Sequence, residues 1–373
     1  NMSWEVTKST LASNTSNLLF GSGPGTYLYD YLSYKPAATN ASQFWSVRFD
    51  RAKSESLTML ATIGVVGTLL WMVMMVWVGV KAIVRLVFER DHEEWKMTYV
   101  LFMGWSILLL THLLYSFNFN MEFLLWGFTG LLASQVILKG WKSDFSKSPK
   151  LGLALSFAFA IVAVGVLASL FVTGSRYAAE VAFAKAVKID QTQGRAVKDV
   201  IVQLDRAVKF NGLSDVYQRN LSSAYLLQAR ELIAASAGKE ERTPEETQAI
   251  VDAVSASVAS AARATEIEPN YASNWVIRGS IYRDLMAFTQ GAEDLAAQSF
   301  LNAVQLDPTN PAHRTNLGRV YLAVASRARS LKTAEDPELA KQATDQEVKL
   351  LANAEQAFIQ SIQLKSDYLA AHY

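Results

Sequence analysis

The chain has 373 residues, 51% of them hydrophobic, and its formal net charge at pH 7 is +1. A charge so close to zero gives no clustered basic face for nucleic acid, so we set nucleic-acid binding aside. The chain contains no cysteine, which excludes disulfides, thiolate metal sites and cysteine nucleophiles.

The N-terminal segment, residues 1–55, has a glycine-rich stretch followed by a basic one. The glycines, which permit positive φ angles and close approach of the backbone to a ligand, are Gly21, Gly23 and Gly25. The stretch is not a Walker motif, which requires Gly-Lys-Ser/Thr, and it is not a Rossmann fingerprint, because Thr26 stands where the third glycine is needed. A ligand-binding loop and a simple turn leading into an interfacial segment both fit the pattern.

Four apolar stretches follow, near Leu57–Val78, Met97–Tyr115, Phe119–Leu138 and Leu151–Thr173. A helix needs about 20 apolar residues to cross a bilayer, because its backbone amides must all be hydrogen-bonded internally where water is absent. Each stretch is long enough or nearly so. The sequence therefore predicts an integral membrane protein with four transmembrane helices within residues 56–174.

The connecting loops predict the orientation of these helices, because Lys and Arg collect on the cytoplasmic side of short loops. The basic residues after the first and third stretches are Lys81, Arg85, Arg90, Lys96, Lys139, Lys142, Lys147 and Lys150. The turn Ser116–Met121 between the second and third stretches has none. We therefore expect residues 1–55 and residues 175–373 to lie outside the cytoplasm of a bacterial cell, with the spans in its cytoplasmic membrane.

Two further groups of titratable residues invite a functional interpretation. His112 and Glu122 lie near the external ends of their stretches, so a proton relay is one interpretation, although we favour a location at the level of the lipid headgroups. The run Asp91–Glu94 suits a solvated helix end, and we assign no metal there.

The C-terminal part contains a helical repeat. A pattern Ala-x-x-Φ-x-Pro, in which Φ is apolar, is followed thirteen residues after the proline by tyrosine. It occurs at Ala264–Pro269 with Tyr282 and at Ala303–Pro308 with Tyr321, and in weaker form at Ala207–Gly212 with Tyr225 and at Ser361–Ser366. The pattern resembles tetratricopeptide repeats, in which a proline-containing turn separates helix pairs. The copies are spaced more widely than usual, which predicts insertions at Gly238–Glu246 and Arg329–Glu347.

Tetratricopeptide repeats stack into a superhelix whose concave face commonly holds a peptide or another protein. Trp275, Tyr282 and Tyr321 are candidates to line such a groove. The interpretation that we favour is packing between adjacent helices, and we assign these aromatic residues no binding role. The last repeat stops before its tyrosine and the chain begins at Asn1, so we expect the sequence to be a piece of a longer protein.

A wider resemblance covers roughly Trp4 to Val80. Phe20-Gly-Ser-Gly-Pro-Gly25, then Asp50-Arg-Ala-Lys-Ser-Glu-Ser-Leu57 and Ile63-Gly-Val-Val-Gly67, resemble the last large external loop of the O-antigen ligase and polymerase superfamily. In that family the second motif usually reads Arg-Ala-His-Asn-Glu-x-Leu, with a glycine eleven positions after the histidine. Here Gly64 keeps this spacing from Lys53, which replaces the histidine.

The resemblance implies a partial GT-C-like helix bundle and a metal-independent glycosyl transfer without a cofactor. A glycan would move from a polyprenyl diphosphate in the membrane to an acceptor hydroxyl. Arg48, Arg51 and the three glycines would hold the diphosphate, for which the guanidinium fork is well suited. Lys53 would act as the base if desolvation and Arg51 lowered its pKa, or it would bind phosphate while Glu55 or Asp50 acts as the base. A solvated basic strip beside lipid headgroups is the alternative.

Two function classes therefore remain open, both on an all-α fold of membrane helices followed by an α-solenoid. The first is a membrane glycosyltransferase of the ligase or polymerase type that acts in envelope polysaccharide synthesis. The second is a non-catalytic scaffold, in which the spans anchor repeats that bind envelope proteins. The replacement at Lys53 favours the scaffold, whereas the retained glycines favour descent from the enzyme.

Overall fold

The computed structural model of the chain describes residues 2–89, 91–136, 149–192, 194, 196–236, 242–286, 289–331 and 337–372. All regular secondary structure in these ranges is helical, which confirms the all-α fold class for the described residues. The chain forms two compact units, Asn1–Asp144 and Phe145–Tyr373. The functional division at residues 55 and 174 stays a prediction. Arg90, Lys139, Lys142 and Lys147, on which the predicted orientation partly rests, lie outside the described residues.

The first unit has three short helices and three long ones. They are α1 (Met2–Ala12), α2 (Thr15–Phe20), α3 (Tyr27–Tyr34), α4 (Glu55–Phe88), α5 (His92–Leu114) and α6 (Phe119–Val136). A short 3₁₀ helix, Ala37–Ala41, follows α3. The long helices pack on a shared apolar core that includes Met75, Trp105 and Leu125. The indole of Trp105 donates a hydrogen bond to Thr129 Oγ1 at 3.0 Å, so this core contains a satisfied polar pair.

Three of the described helices are long and apolar enough to cross a membrane, rather than the four predicted. They are Glu55–Phe88, His92–Leu114 and Gly152–Asp190. The third predicted stretch forms α6, which has 18 residues and is therefore only about 27 Å long. It also carries Asn120, Glu122 and Gln135, so its described part is less apolar than the most apolar stretch of each of these three helices. Residues 137 and 138, the last of this stretch, lie outside the described residues.

The second unit is a series of helical hairpins. Its helices are α7 (Pro149–Asp190), α8 (Val197–Phe210), α9 (Asp215–Ala235), α10 (Pro244–Ile267), α11 (Ala272–Leu285), α12 (Ala292–Leu306), α13 (Pro311–Leu331) and α14 (Pro337–Leu364). Each helix packs against the next one, and the closest pairs are α7–α8, α9–α10, α11–α12 and α13–α14. The turns that contain Pro269 and Pro308 separate successive hairpins, as the repeat pattern predicts.

Helix α7 is continuous over 42 residues and has two different halves. The first half is exposed and apolar, with side chains such as Leu153, Val162 and Phe171 uncovered. The second half packs against α8 through Ala179, Ala182 and Ala186. The apolar stretch and the first repeat helix are therefore parts of one element.

Insertions lengthen the repeat helices. Part of the predicted insertion Arg329–Glu347 forms the start of α14, which reaches 28 residues. The other insertion supplies the N-terminus of α10, where Thr243 and Glu246 make a reciprocal capping box. Residues 238–241 and 332–336 of these insertions lie outside the described residues.

Candidate functional site

The glycine-rich loop of the first unit is bound to helix α4. Its three glycines have φ angles of +72° at Gly21, +116° at Gly23 and +78° at Gly25, a region that favours glycine. The N–H groups of Ser22 and Gly23 donate to the carbonyl oxygens of Ala61 and Thr62, at 3.0 and 2.9 Å. The loop therefore adds two hydrogen bonds to a stretch of α4 whose helical geometry is interrupted.

The interruption of α4 is at Gly64, where φ is +65°. A Cβ added at Gly64 would lie 2.5 Å from the backbone nitrogen of Gly21, and one added at Gly21 would lie 2.3 Å from the carbonyl carbon of Thr62. The two glycines thus permit direct backbone contact between the loop and the helix. This contact accounts for both of them without a ligand, whereas a Cβ at Gly25 would meet open space. The ligand-binding role of the three glycines stays a prediction.

A buried carboxyl group, which the sequence analysis did not identify, supports this loop. Asp30 on α3 is 7% exposed, and Ser22 Oγ donates to its Oδ2 at 2.5 Å. Ser22 Oγ also lies 2.6 Å from Thr26 Oγ1. Burial raises the pKa of Asp30 to about 6. An acidic residue in the otherwise aromatic stretch Tyr27–Tyr34 was the available signal in the sequence.

The basic stretch after residue 48 is partly committed to internal contacts. The guanidinium group of Arg51 donates from Nε and Nη2 to the two carboxylate oxygens of Asp50, at 2.9 and 2.8 Å. Its Nη1 donates to the carbonyl oxygen of Phe117 at 2.6 Å. The Arg51 guanidinium holds the pKa of the Asp50 carboxyl below its usual range. The side chain of Arg51 is nonetheless 42% exposed, and Arg48 is also exposed.

Lys53 and Glu55, the predicted catalytic residues, occupy different environments. Lys53 is exposed, and its backbone N–H donates to Ser3 Oγ at 3.0 Å. Glu55 is the first residue of α4, and its Oε2 accepts a hydrogen bond from the N–H of Phe117 at 3.1 Å. Arg51 therefore binds the carbonyl oxygen of Phe117, and Glu55 binds the N–H group of the same residue, in the turn between α5 and α6. Their catalytic or binding roles stay predictions.

A cavity of about 410 Å³ brings two of the predicted residues together. Its lining residues are Met2, Ser3, Tyr27, Tyr31, Phe49, Arg51, Ala52, Lys53 and Ser116. Two cations, several hydroxyl groups and an aromatic wall suit an anionic group attached to an apolar or sugar portion. Arg48, Glu55 and the three glycines are not among the lining residues.

The other two groups singled out in the sequence have local structural partners. His112 is buried, with its Nδ1 3.3 Å from Ser56 Oγ and its Nε2 3.6 Å from Glu122 Oε1, and its ring stacks on Trp71. Asp91 Oδ1 accepts hydrogen bonds from the first turn of α5, as an N-cap does. Within the described residues, no group of three or more His, Cys, Asp or Glu side chains is arranged to hold a metal ion.

The hairpins of the second unit share a close helix crossing, three residues before each repeat tyrosine. A Cβ added at Gly279 would lie 3.1 Å from ring carbons of Phe300, and one at Gly318 would lie 2.9 Å from the ring of Phe358. In the earlier hairpin the small residue is Ser222, which exchanges hydrogen bonds with Ser257. Each serine hydroxyl donates to the other's carbonyl oxygen, at 2.9 and 2.8 Å. Small residues at this position allow the two helices of a hairpin to approach closely.

The repeat aromatics pack within the solenoid. Tyr282 and Tyr321 lie against the cluster around Phe300, which confirms the packing interpretation for both tyrosines. The indole of Trp275 donates to the carbonyl oxygen of Pro269 at 2.7 Å, and the guanidinium of Arg278 lies over its ring at 5.5 Å. These aromatic side chains are therefore used to join successive helices.

A groove of about 380 Å³ lies among α7, α8 and α9. Its lining residues are Phe183, Ala186, Val187, Asp190, Gln191, Val200, Leu204, Asn220, Ser223, Ala224 and Leu227. Apart from the exposed Val187, the aliphatic and aromatic residues belong to the core of the first hairpins, and the polar ones are Asp190, Gln191, Asn220 and Ser223. An apolar floor beside hydrogen-bonding groups is the usual make-up of a protein or peptide contact surface. The sequence analysis missed this groove because it did not identify the α7–α8 hairpin.

Comparison with known proteins gives no family assignment. No known family matches this sequence, and no curated protein matches it. Among solved structures, the chain is similar to TTC0263, a thermophilic TPR protein in Thermus thermophilus. The identity is 16%, with 52% of this chain and 95% of that chain covered and a TM-score of 0.27. It is also similar to YrrB, described as a TPR protein with an unusual peptide-binding site, at 12% identity, with 51% and 88% covered and a TM-score of 0.25.

These TM-scores are too low to carry an argument about this chain. The description of a helical-hairpin repeat therefore rests on the helices and crossings of the second unit. The resemblance to the O-antigen ligase superfamily is not supported by any of the three comparisons.

Proposed function

We propose that this protein is a membrane-anchored scaffold whose tetratricopeptide-like repeats bind another protein. The observation that carries the proposal is helix α7, whose first half is exposed and apolar and whose second half is the first helix of the repeats. A helix of this kind connects a bilayer anchor to a binding domain without a flexible linker. The repeated crossing at Gly279 and Gly318 supports the tetratricopeptide-like assignment, because close helix pairs are what such repeats stack.

The partner surface in this proposal is the groove among α7, α8 and α9. Its apolar floor offers surface to bury, and Asn220 and Ser223 offer hydrogen bonds along one face of α9. Burying apolar area at about 25 cal/mol per Å² supplies affinity, whereas the polar groups fix the register of a bound segment. We infer that the partner is a protein segment with alternating apolar and polar side chains.

Crosslinking in native membranes tests this scaffold function. A photoreactive amino acid at Asn220 is expected to give a discrete crosslinked product, whereas the same group at the exposed residue Gln248 on α10 is expected to give none. Ser223→Trp, which fills the groove, should remove the product, and Gln248→Trp should leave it unchanged. Equal crosslinking from both positions, or a product that survives Ser223→Trp, would contradict binding in this groove.

The location and orientation are part of the same proposal. Three helices long and apolar enough to cross a membrane support anchoring in a bacterial cytoplasmic membrane. The basic residues Lys81 and Arg85, which lie in the C-terminal part of α4, support placing that end of the helix in the cytoplasm. On this basis residues 1–55 would lie on the external side. The repeats share that side, where envelope proteins are the available partners, if α6 crosses as a fourth span as the sequence predicts; three crossings would place the repeats in the cytoplasm.

A second candidate function is glycosyl transfer from a polyprenyl-diphosphate-linked glycan, in a partial GT-C-like bundle. The cavity that brings Arg51 and Lys53 together favours it, because a diphosphate requires at least two cations. In this account Lys53 is the base or a phosphate ligand, and Glu55 remains tied to Phe117.

A transfer assay on membranes that contain the full chain tests this second function. Lys53 is the sharper variant, because its exposed side chain is not part of the Phe117 contacts, whereas Arg51→Ala also removes one of them. Transfer that is lost in Lys53→Ala and kept in Lys53→His would support the enzyme. Transfer unaffected by either change would reject the assigned role of Lys53.

A further inference from the structure

The turn between α8 and α9 carries an unusual pair of exposed apolar side chains. Phe210 is 51% exposed and Leu213 is 72% exposed. The turn is nevertheless ordered by hydrogen bonds, with the N–H of Asn211 donating to the carbonyl oxygen of Ala207 and the N–H of Leu213 donating to Asn211 Oδ1. These two apolar side chains are therefore held outward on a defined turn.

The corresponding later turns of the same unit lack this feature. In the shared repeat pattern, Leu213 occupies the position of Asn270 in the α10–α11 turn and of Thr309 in the α12–α13 turn. Phe210 occupies the position of Ile267 and Leu306, which are both partly covered. The repeat fold itself thus tolerates polar residues here, and the apolar pair is specific to the first turn.

The first turn lies beside the end of the apolar half of α7. Ser175 Oγ donates to the carbonyl oxygen of Phe210 at 2.6 Å, which places the turn level with Ser175. Residues 152–174 would extend about 34 Å as a helix, close to the roughly 30 Å of a bilayer core. If this half of α7 spans the membrane, Ser175 and the turn lie at the bilayer surface.

The neighbouring side chains match a lipid headgroup region. Tyr177, two residues after Ser175, is 72% exposed, and aromatic residues of this kind are enriched at membrane interfaces. Arg176 and Lys209 are both exposed and carry the positive charge that headgroup phosphates attract. Their long aliphatic stems also suit a site where apolar and aqueous phases meet.

We propose that Phe210 and Leu213 insert into the bilayer interface, so that the first hairpin of the repeats rests directly on the membrane surface. This inference rests on the proposed membrane insertion of α7. It adds a second membrane contact that fixes the tilt of the repeat unit at its first hairpin. The occupant of the apolar pair is thus a phospholipid surface rather than a protein.

Site-specific fluorescence in lipid vesicles tests the contact, because a chain without cysteine accepts a single label at a chosen position. The full chain is reconstituted in phosphatidylcholine and phosphatidylglycerol vesicles, and an environment-sensitive dye is attached to Leu213→Cys. Val162→Cys in the apolar half of α7 reports insertion itself. Lys188→Cys, an exposed position in the repeat half of α7 that does not line the groove, is the control.

The expected result is a blue-shifted emission at position 213, and this label should be quenched at least twofold more than the label at 188 by lipids spin-labelled near the headgroup. A label at 213 as water-exposed as that at 188, with 162 shielded, would overturn the interfacial contact and leave the anchor intact. Water exposure at 162 would overturn membrane insertion, and with it both proposals.

Discussion

Gly279 lies against the ring of Phe300, so that an added Cβ would come within 3.1 Å of three ring carbons. Phe300 is fully buried among Ala296, Leu317 and Val320, and its ring cannot move away without displacing this cluster. The absence of a side chain at position 279 therefore determines how closely α11 and α12 pack. The same relationship recurs between Gly318 and Phe358 in the next hairpin.

Replacing this glycine by a large residue should loosen the hairpin. Gly279→Leu is expected to lower the free energy of unfolding by about 2–3 kcal/mol, because overpacking at a tight helix crossing forces the backbones apart. Hydrogen–deuterium exchange of the full chain should show faster exchange in α11 and α12. Gly174→Leu is the matched control, since a Cβ at this helical glycine meets no atom within 4 Å. Equal exchange in the two variants would show that the crossing is not tight.

A second glycine, Gly64, should be equally intolerant, for a different reason. Its φ of +65° disfavours any residue with a side chain, and a Cβ there would lie 2.5 Å from Gly21 N. We expect Gly64→Ala to release the glycine-rich loop, with a cost of at least about 1–2 kcal/mol from the backbone conformation alone.

The measurement for Gly64→Ala is exchange or limited proteolysis of residues 17–26. Gly130→Ala in α6 is the control, because its added Cβ meets open space and its φ is not positive. Loop protection that is unchanged in Gly64→Ala would mean that the contact with α4 does not hold the loop.

Asp30 should make the stability of the first unit depend on pH. Its folded-state pKa of about 6 lies above the ordinary value of 3.8, because burial disfavours the ionised form. The folded chain therefore binds a proton more tightly than the unfolded chain does. This contribution to stability is fully present below pH 3.8 and is lost as the pH rises through 6.

Denaturant titrations of the full chain at pH 4.5 and 7.5 measure this effect. On going from pH 7.5 to pH 4.5, the wild-type first unit should gain stability that Asp30→Asn does not gain, because asparagine cannot ionise. Asp50 should contribute the opposite pH dependence of stability, because Arg51 lowers its pKa. Asp50→Asn is therefore the control for the sign of the effect. A pH dependence identical in wild type and Asp30→Asn would contradict the assignment.

The sequence predicted the repeats well because their signal is local. The alanine, proline and tyrosine spacing marked the turns at Pro269 and Pro308, and both lie between the helices that the structure contains. The weaker copy Ala207–Gly212, with Gly212 in the proline position, likewise ends at the turn between α8 and α9. The helix before it was not predicted as part of the repeats, because its N-terminal half is the fourth apolar stretch. The boundary placed near residue 174 also failed to predict a continuous α7, although no strong helix breaker stands between its two halves.

Less of the candidate site could be predicted from the sequence. Gly21, Gly23 and Gly25 suggested a ligand loop, but the backbone contact between Gly21 and Gly64 depends on a tertiary approach that no local pattern reports. The role of Arg51 as a diphosphate ligand stays a prediction, and its hydrogen bond to the carbonyl oxygen of Phe117 joins residues 66 apart in the sequence. The burial of Asp30 depends in the same way on packing between separate helices.

The central claim is that α7 is at once a membrane anchor and the first helix of the repeats. The most direct test is labelling of single cysteines with a membrane-impermeant maleimide in intact vesicles that contain the full chain. Val162→Cys should be unreactive until detergent is added, whereas Lys188→Cys should react with maleimide in vesicles that expose the repeats outward. Equal and immediate reaction at both positions would contradict the account.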